Sequence, residues 1–443
     1  MTDVSRPHRV GIFAHVGNGN LGDEATVAAL LQAIRKHCPD TELCVFSANP
    51  DDTERRHGVR AAPIQREVAR RVRREDGPTG GSRSRPQSEG AGVRARVKTF
   101  LQGAPRLYRA LKGARSAVQL LAALGPELVF VARSFRALRR IDRLLIAGGG
   151  QLGDYFGGPW GYPFGLFRWC LVARLAGARV AFVSVGAEPI RSGTSKRLLR
   201  WALALADYRS FRDESSRDLI ERIGASGPHA VCPDLVHGLR LPQRRAPRES
   251  DATLTVGINP IPFFDARYWT EHDASVYQGY VSTLAAFAAW LIERGHRVVF
   301  FPTQVHADPP VIRDIELAMK RTASLGWEEC VDVPPVASFD GLTAALSLVD
   351  VVVASRFHGI IFSFLLDRPV LGLSYYRKTE DLMADMGQRD YVLAIRGLEL
   401  DTLIERFAQL EVSLAPALAA IRARRAEHIV ALDAQYARIL RRG

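Results

Sequence analysis

The chain has 443 residues, 47% hydrophobic and 24% charged, with a formal net charge of +13. That length allows two or three domains, and the composition is that of an ordinary soluble globular protein. No apolar run approaches the roughly 18 residues of a membrane span, and the apolar stretch Val10 to Ala14, after a polar start, is too short for a signal peptide.

The five cysteines, Cys38, Cys44, Cys170, Cys232 and Cys330, are dispersed and form no C-x-x-C pair. An odd, scattered set argues against a disulfide framework and against a zinc site. No group of His and carboxylates has metal-ligand spacing either, so no metal is expected. The cytoplasm is the expected compartment. The positive charge is localised: between Arg55 and Arg143 there are 22 Lys and Arg against 6 Asp and Glu, or +16, so the rest of the chain sums to −3.

The first third opens as a β-α unit. Arg9 to Ala14 is a short apolar strand, Gly17 to Glu24 a glycine-rich turn, and Ala25 to His37 has helical spacing in Val27, Leu30, Leu31 and Ile34. Glu42 to Ser47 is a second strand. Asp76 to Gly92, rich in Gly, Ser, Pro and Arg, reads as a loop. Val93 to Leu124 returns to helical periodicity, divided at Pro105, with Arg94, Arg96, Lys98, Arg106, Arg109, Lys112 and Arg115 on one face.

Regular alternation then resumes. Strands are predicted at Arg143 to Ala147, Arg179 to Val185, Tyr208 to Phe211 and Ala230 to Cys232, with helices near Pro163 to Ala176, Thr194 to Ala206 and Glu214 to Gly224. Leu241 to Ala252 reads as an interdomain linker. A second series has strands at Thr253 to Asn259, Arg297 to Phe301, Cys330 to Val333, Val349 to Ala354 and Val370 to Leu373. Its helices are Ala274 to Arg294, Pro310 to Ser324, Phe339 to Leu348 and Leu400 to Leu410, and a long helix over Ala415 to Arg442 closes the chain. Two such series predict an α/β protein of two doubly wound, Rossmann-like domains with a cleft between them. They span about 1–245, with an Arg-rich insertion over 66–115, and 250–443, with the long terminal helix.

The stretch richest in chemistry is Ser355-Arg356-Phe357-His358-Gly359, between the β-branched run ending at Ala354 and an apolar helix over Ile360 to Leu366. Open parallel sheets bind ligands beyond the carboxyl ends of their strands, which delivers Arg356 and His358 to the cleft. A guanidinium fork suits carboxylate or phosphate, and an imidazole exchanges protons near neutral pH. The pair points to proton transfer on an anionic substrate. The turn holding Gly17, Asn18, Asn20, Asp23 and Glu24 can bring backbone N–H groups to an anion or sugar. It matches neither the P-loop nor the dinucleotide fingerprint, and a tight structural turn is the alternative. Gly148, Gly149 and Gly150 remove every Cβ at a strand end and lead into a glycine-aromatic loop suited to stacking on a sugar ring. Arg212 follows another strand and either reaches the cleft or pairs with the capping residue Asp213. His306, beyond the strand ending at Phe301, is a second-rank site residue.

As an ordered set, Gly-Asn-x-Gly-Asp-Glu-Ala ending at Ala25, Gly148-Gly149-Gly150, Arg212-Asp213, Cys232-Pro233-Asp234 and Ser355-Arg356-Phe357-His358, with Arg368-Pro369-Val370 and Lys378 downstream, resembles the polysaccharide pyruvyl transferase family. The resemblance runs from about residue 9 to 395; the Arg-rich stretch from about Arg66 to Arg115 departs from it. It implies a glycosyltransferase-B-like fold and phosphoenolpyruvate as donor. The product would be a pyruvyl ketal bridging two hydroxyls of one sugar in a polysaccharide, glycolipid or lipid-linked glycan precursor. By position, His358 corresponds to the general acid, Arg356 to the anion-binding Arg, and Arg212 to a further recurrent Arg. Ser355 and Lys378 join the substrate-binding set, and no cofactor is required. The rival readings are a nucleotide-sugar-dependent glycosyltransferase on the same architecture and a non-catalytic carbohydrate-binding assembly protein. The basic face from Arg94 to Arg115 suits peripheral contact with an anionic membrane, at the inner face of the plasma membrane; a solvated insertion is the plainer reading. No nucleic-acid partner is expected.

Overall fold

The computed structural model describes residues 9–65, 125–155, 157–241, 253–269, 271–322 and 326–440. The first sheet has strands β1 (Arg9–Phe13), β2 (Glu42–Ser47), β3 (Arg60–Pro63), β4 (Arg143–Ala147), β5 (Arg179–Val185), β6 (Tyr208–Phe211) and β7 (Ala230–Val231). Its order is β3-β2-β1-β4-β5-β6-β7, with every pair parallel. The second sheet has β8 (Thr255–Asn259), β9 (Arg297–Phe300), β10 (Val331–Asp332), β11 (Val351–Ala354), β12 (Val370–Ser374) and β13 (Val392–Ala394), in the order β10-β9-β8-β11-β12-β13, again all parallel. The expected pair of doubly wound α/β lobes is therefore present.

The helices of the first lobe are α1 (Leu21–His37), α2 (Pro50–His57), α3 (125–138), α4 (Tyr162–Leu175), α5 (Gly193–Ala204) and α6 (Glu214–Arg222). Those of the second are α7 (Ala274–Glu293), α8 (Asp308–Thr322), α9 (Phe339–Leu348), α10 (Phe357–Leu365), α11 (Arg377–Asp385), α12 (Leu400–Glu411) and α13 (Leu414–Leu440). The order reverses between β1 and β4 in one sheet and between β8 and β11 in the other. Such switch points leave a crevice at the carboxyl strand ends. The glycine turn after β1, the glycine triplet after β4 and the Ser355–His358 stretch after β11 all sit at one of them.

α1 starts where it does because the Asn20 side chain accepts the Gly22 N–H at 3.0 Å. Asp23 and Glu24 lie in its first turn and Arg35, Lys36 and His37 in its last, matching the helix dipole. α10 is apolar nearly all round, as expected of a helix buried on every side. Its Phe357, Ile360 and Ile361 share one apolar cluster with Leu235 and Val236 of the first lobe and Leu432 and Tyr436 of α13. Each such side chain contributes about 1.5–3 kcal/mol on burial, so the lobes share a core rather than meeting only at their surfaces.

α13 runs back across the first lobe. Lys36 pairs with Asp433 at 2.7 Å, and the Gln435 amide donates to Ser184 Oγ at 3.0 Å. The Gln435 carbonyl accepts from Tyr208 at 3.1 Å and from Ser210 Oγ. In the same layer the rings of His237 and His428 meet at 4.5 Å, and His428 Nε2 lies 2.8 Å from Asp385. Burial, and then the neighbouring His428, push the His237 imidazole down to about 3.

The expected strands recur with boundaries shifted by two residues at most, and the terminal helix spans Leu414–Leu440 rather than Ala415–Arg442. The edge strands β3 and β13 and the helices α2, α3 and α11 are additional. α2, Pro-Asp-Asp-Thr-Glu-Arg-Arg-His, contains no aliphatic residue, so apolar periodicity cannot reveal it; Asn49 and Gly58 cap its ends instead. The basic helix expected over Arg94 to Arg115, the loop Asp76 to Gly92 and most of the linker expected over Leu241 to Ala252 lie outside the described residues.

Two outcomes test the α13 contact. Gln435→Leu strands buried hydroxyls and should cost about 1–3 kcal/mol in urea unfolding of the full chain. The buried His237 is proton-free in the folded state between about 3 and the usual 6.5, whereas the unfolded chain takes up a proton there. Stability should therefore fall as pH drops below about 6.5, by up to roughly 1.4 kcal/mol per pH unit for this group, and His237→Phe should flatten that slope.

Candidate active site

The site forms where α1 of the first lobe meets the loops after β9 and β11 of the second. The two segments pair directly. Leu21 N donates to Thr303 O and Val305 N to Gly19 O, both at 3.0 Å, and Gln304 Nε2 reaches Asn18 O at 3.1 Å. Gly17 and Gly19 have φ of +94° and +72°, and a Cβ on Gly17 would lie 2.4 Å from Asn49. Both positions therefore demand glycine.

Gly22 is the pivotal contact. A Cβ there would lie 2.0 Å from Nδ1 of His358, so the imidazole rests on the bare first turn of α1. His358 is half-buried, its Nε2 is buried, and that nitrogen has no hydrogen-bond partner. Burial pushes its pKa down to about 4; Asp234 opposes this, while Arg212, Lys378 and Arg356 reinforce it. The ring is therefore neutral at pH 7. On the same turn Asp23 moves the other way. Burial, then Glu24 and Asp234, push its carboxyl up to about 7, against Arg212 and Lys378. One Asp23 oxygen accepts from Asn20 Nδ2 at 2.9 Å, and the other is the nearest atom to the Cβ position of Gly149, at 3.6 Å.

Cations converge from both lobes. Arg212, buried, reaches Asp213 at 3.2 Å and Asp234 at 3.5 Å and lies over the ring of Phe357, 4.4 Å from its centroid. A Cβ on Gly186 would lie 2.6 Å from this guanidinium, so that glycine makes room for it. Lys378 pairs with Glu188 across the cleft at 3.1 Å. Arg356 precedes α10 and donates through Nε to the buried Asp308 at 3.0 Å; burial disfavours its charge, but Asp308 outweighs this and raises its pKa. Asp308 also accepts Thr303 N at 3.0 Å and Gln304 N at 2.8 Å, so the loop that grips α1 also orients Arg356.

The remaining sequence-predicted residues divide by position. Gly148, with φ of +20°, packs against Thr26, and a Cβ on Gly150 would lie 2.9 Å from Glu188. Ser355 is buried and its hydroxyl bonds Tyr280 at 2.8 Å, beneath the cleft. Glu24 turns inward, accepting Gly17 N at 2.8 Å and meeting His57 Nε2 at 2.8 Å, which braces the turn. Asn18 is exposed and sits 3.5 Å from His15. His306 is exposed at the lobe contact, with its ring against Gly19. Sequence reasoning missed Asp308, Glu188 and Phe357 as site residues. Each acts by holding a cation; Phe357 lay within the Ser355–His358 stretch, but no local motif announces Asp308 or Glu188 as partners 48 or 190 residues away. Asp234, by contrast, lay within a motif already noted. Among the described residues no group of His, Cys, Asp or Glu could hold a metal ion.

Two parallel-sheet lobes with a cleft at facing switch points define the glycosyltransferase-B-like class. The structure is similar to UDP-GlcNAc 2-epimerase from Neisseria meningitidis bound to UDP-GlcNAc, at 11% identity, TM-score 0.55, covering 98% of this chain and 99% of that one. It is also similar to a glycosyltransferase from Rickettsia africae ESF-5, at 8% identity, TM-score 0.50, covering 99% and 100% of the two chains. A third is UDP-GlcNAc 2-epimerase from Methanocaldococcus jannaschii, at 8%, TM-score 0.50, covering 90% and 92%. At these identities the likeness is one of fold. Within that class, residues 20–376 match the polysaccharide pyruvyl transferase family, and the chain belongs to it. No curated protein matches the sequence.

Gly22→Ala tests the cross-lobe contact. In the wild type, NMR of labelled histidine should show the His358 ring neutral at about pH 5.5, well above its depressed pKa. The added methyl group should expel the ring into water and return its titration toward the ordinary value near 6.5. An unchanged titration would mean the ring does not rest on that turn.

Proposed function

We propose that the protein transfers the enolpyruvyl unit of phosphoenolpyruvate to two hydroxyls of one sugar, forming a pyruvyl ketal and releasing phosphate. The observation that carries this reading is the convergence of Arg212, Arg356 and Lys378 on a buried, unpartnered imidazole nitrogen at a helix N-terminus. A donor with both phosphate and carboxylate matches that set of oriented cations. Membership of the family supports a transferase acting in polysaccharide biosynthesis.

The proton balance suits two groups with displaced pKa values. Bound phosphate beside Nε2 favours the imidazolium form of His358, which delivers its proton to the methylene carbon of the donor. The resulting oxocarbenium centre at C2 is attacked by a sugar hydroxyl, whose proton passes to Asp23. The C2–O bond to phosphate then breaks, phosphate leaves with the proton from Asp23, and Arg212 and Arg356 stabilise the departing charge. The second hydroxyl closes the ketal and its proton restores the imidazolium. Each positioned acid or base contributes roughly 10²–10⁴-fold. The acceptor enters from the mouth of the cleft, past the glycine-aromatic loop with its exposed Tyr155 and Trp160 and the exposed Tyr376 opposite.

Calorimetric titration of the full chain with phosphoenolpyruvate should show saturable binding, weakened at least about tenfold in Arg356→Ala, since a hydrogen bond to a charged group is worth about 1.5–3 kcal/mol. Binding of UDP-sugars with no response to phosphoenolpyruvate would favour the nucleotide-sugar glycosyltransferase instead. As a base Asp23 must be deprotonated, so kcat should rise with pH through about 7, the value to which its carboxyl is raised. Asp23→Asn should abolish that limb and lower kcat by roughly 10²-fold or more with little change in donor binding.

A further inference from the structure

Helices α3, α4 and α5 lie side by side on one face of the first sheet. Arg168 of α4 pairs with Glu127 of α3 and lies over Phe130, 4.7 Å from its centroid, while Phe167 of α4 meets Trp201 of α5 at 5.6 Å. Their inner sides, including Phe130, Leu166, Trp169, Cys170, Leu199 and Leu203, fill the core against the sheet. A helix covering a sheet needs one apolar stripe and a polar outer face. α4 has a second apolar row: Phe164, Phe167, Leu171 and Leu175 recur at helical spacing, the two Phe half-buried, Leu175 70% exposed, and Trp201, against Phe167, 54% exposed. Trp160, 73% exposed and packed on Phe164 at 5.8 Å, extends this stripe toward the loop that leaves β4 for the cleft.

The charges on the same three helices are one-sided. They carry seven basic residues and one acidic residue, Glu127, already held by Arg168. Among the described residues Arg133, Arg136, Lys196, Arg197 and Arg200 form no ion pair with a carboxylate. Exposed Trp and Leu rimmed by unpaired cations is the composition of a surface that lies in the interface of an anionic bilayer. There the rings and aliphatic chains enter the acyl boundary and the cations meet headgroup phosphates. A second copy of this chain would bring like charge to the contact, which disfavours self-association through this face.

We propose that the outer face of α4 and α5 is a membrane-docking surface for anionic lipid, which sets the cleft at the bilayer surface with Trp160 leading into it. The inference rests on α3, α4 and α5 and not on the basic face expected over Arg94 to Arg115, and it does not rest on the identity of the donor.

Co-sedimentation of the full chain with phosphatidylcholine vesicles, with and without phosphatidylglycerol, tests it. Binding is expected only to the anionic vesicles and should weaken as salt rises. Two variants change only exposed side chains: Leu175→Ser with Trp201→Ser, and Arg197→Glu with Arg200→Glu. Each should reduce vesicle binding at least about tenfold, with an unchanged melting temperature and unchanged phosphoenolpyruvate titration. The proposal is overturned if the wild type binds neither vesicle, or if both variants bind like the wild type, which would assign the membrane contact to another part of the chain. It is equally overturned if sedimentation velocity shows the variants breaking a dimer of the wild type instead.

Discussion

The absence of a side chain at Gly22 is what allows the two lobes to make one site. Any Cβ there would occupy the place of the His358 ring. The ring in turn belongs to α10, whose apolar residues are shared with the core of the first lobe. Closing the lobes therefore buries apolar surface and places an imidazole on the positive end of α1 in a single step. A neutral ring is what such a position tolerates, because the helix dipole, Arg212 and Lys378 all oppose a further positive charge.

The same crowding of charge explains the opposite displacement of Asp23. It is half-buried beside Glu24 and Asp234, and burial with their negative charge makes its carboxyl hold a proton to higher pH than usual. The cations of the cleft each have a carboxylate that aims them: Asp234 and Asp213 for Arg212, Asp308 for Arg356, Glu188 for Lys378. Guanidinium groups held in this way present the rest of their N–H donors in a fixed direction rather than on flexible chains. Glu24, one residue from Asp23, has no such part. It faces inward and braces the turn through Gly17 and His57.

The terminal helix α13 completes the arrangement from behind. It links Ser184 and Ser210 of the first sheet through Gln435, and reaches Asp385 of the second lobe through His428. A helix tied to both lobes restricts how far they can separate. It also packs against Asp234's own neighbourhood, since His237, three residues after Asp234, touches His428. The back of the molecule and the floor of the cleft are thus one continuous packing.

Much of the fold was legible in the sequence because strands buried on both faces are written as contiguous apolar runs and helices as period-3.6 stripes. β1, β4, β5, β8 and β11 are of that kind, and the residues immediately after β1, β4 and β11 were placed at the cleft for the same reason: in a parallel sheet the carboxyl strand ends face one way. Elements without an apolar signature were not legible: α2 has no aliphatic residue, and the edge strands β3 and β13 have only four and three residues. Sequence alone therefore determined the chemical types at the site and the strand ends that deliver Arg212, Arg356 and His358, since these follow from local pattern and chain direction. Tertiary structure decided the pairings: His358 with Gly22, Arg356 with Asp308, Lys378 with Glu188, and the inward turn of Glu24. It also decided which groups titrate abnormally, because burial and neighbouring charge depend on residues far apart in the chain that only the closed lobes bring together.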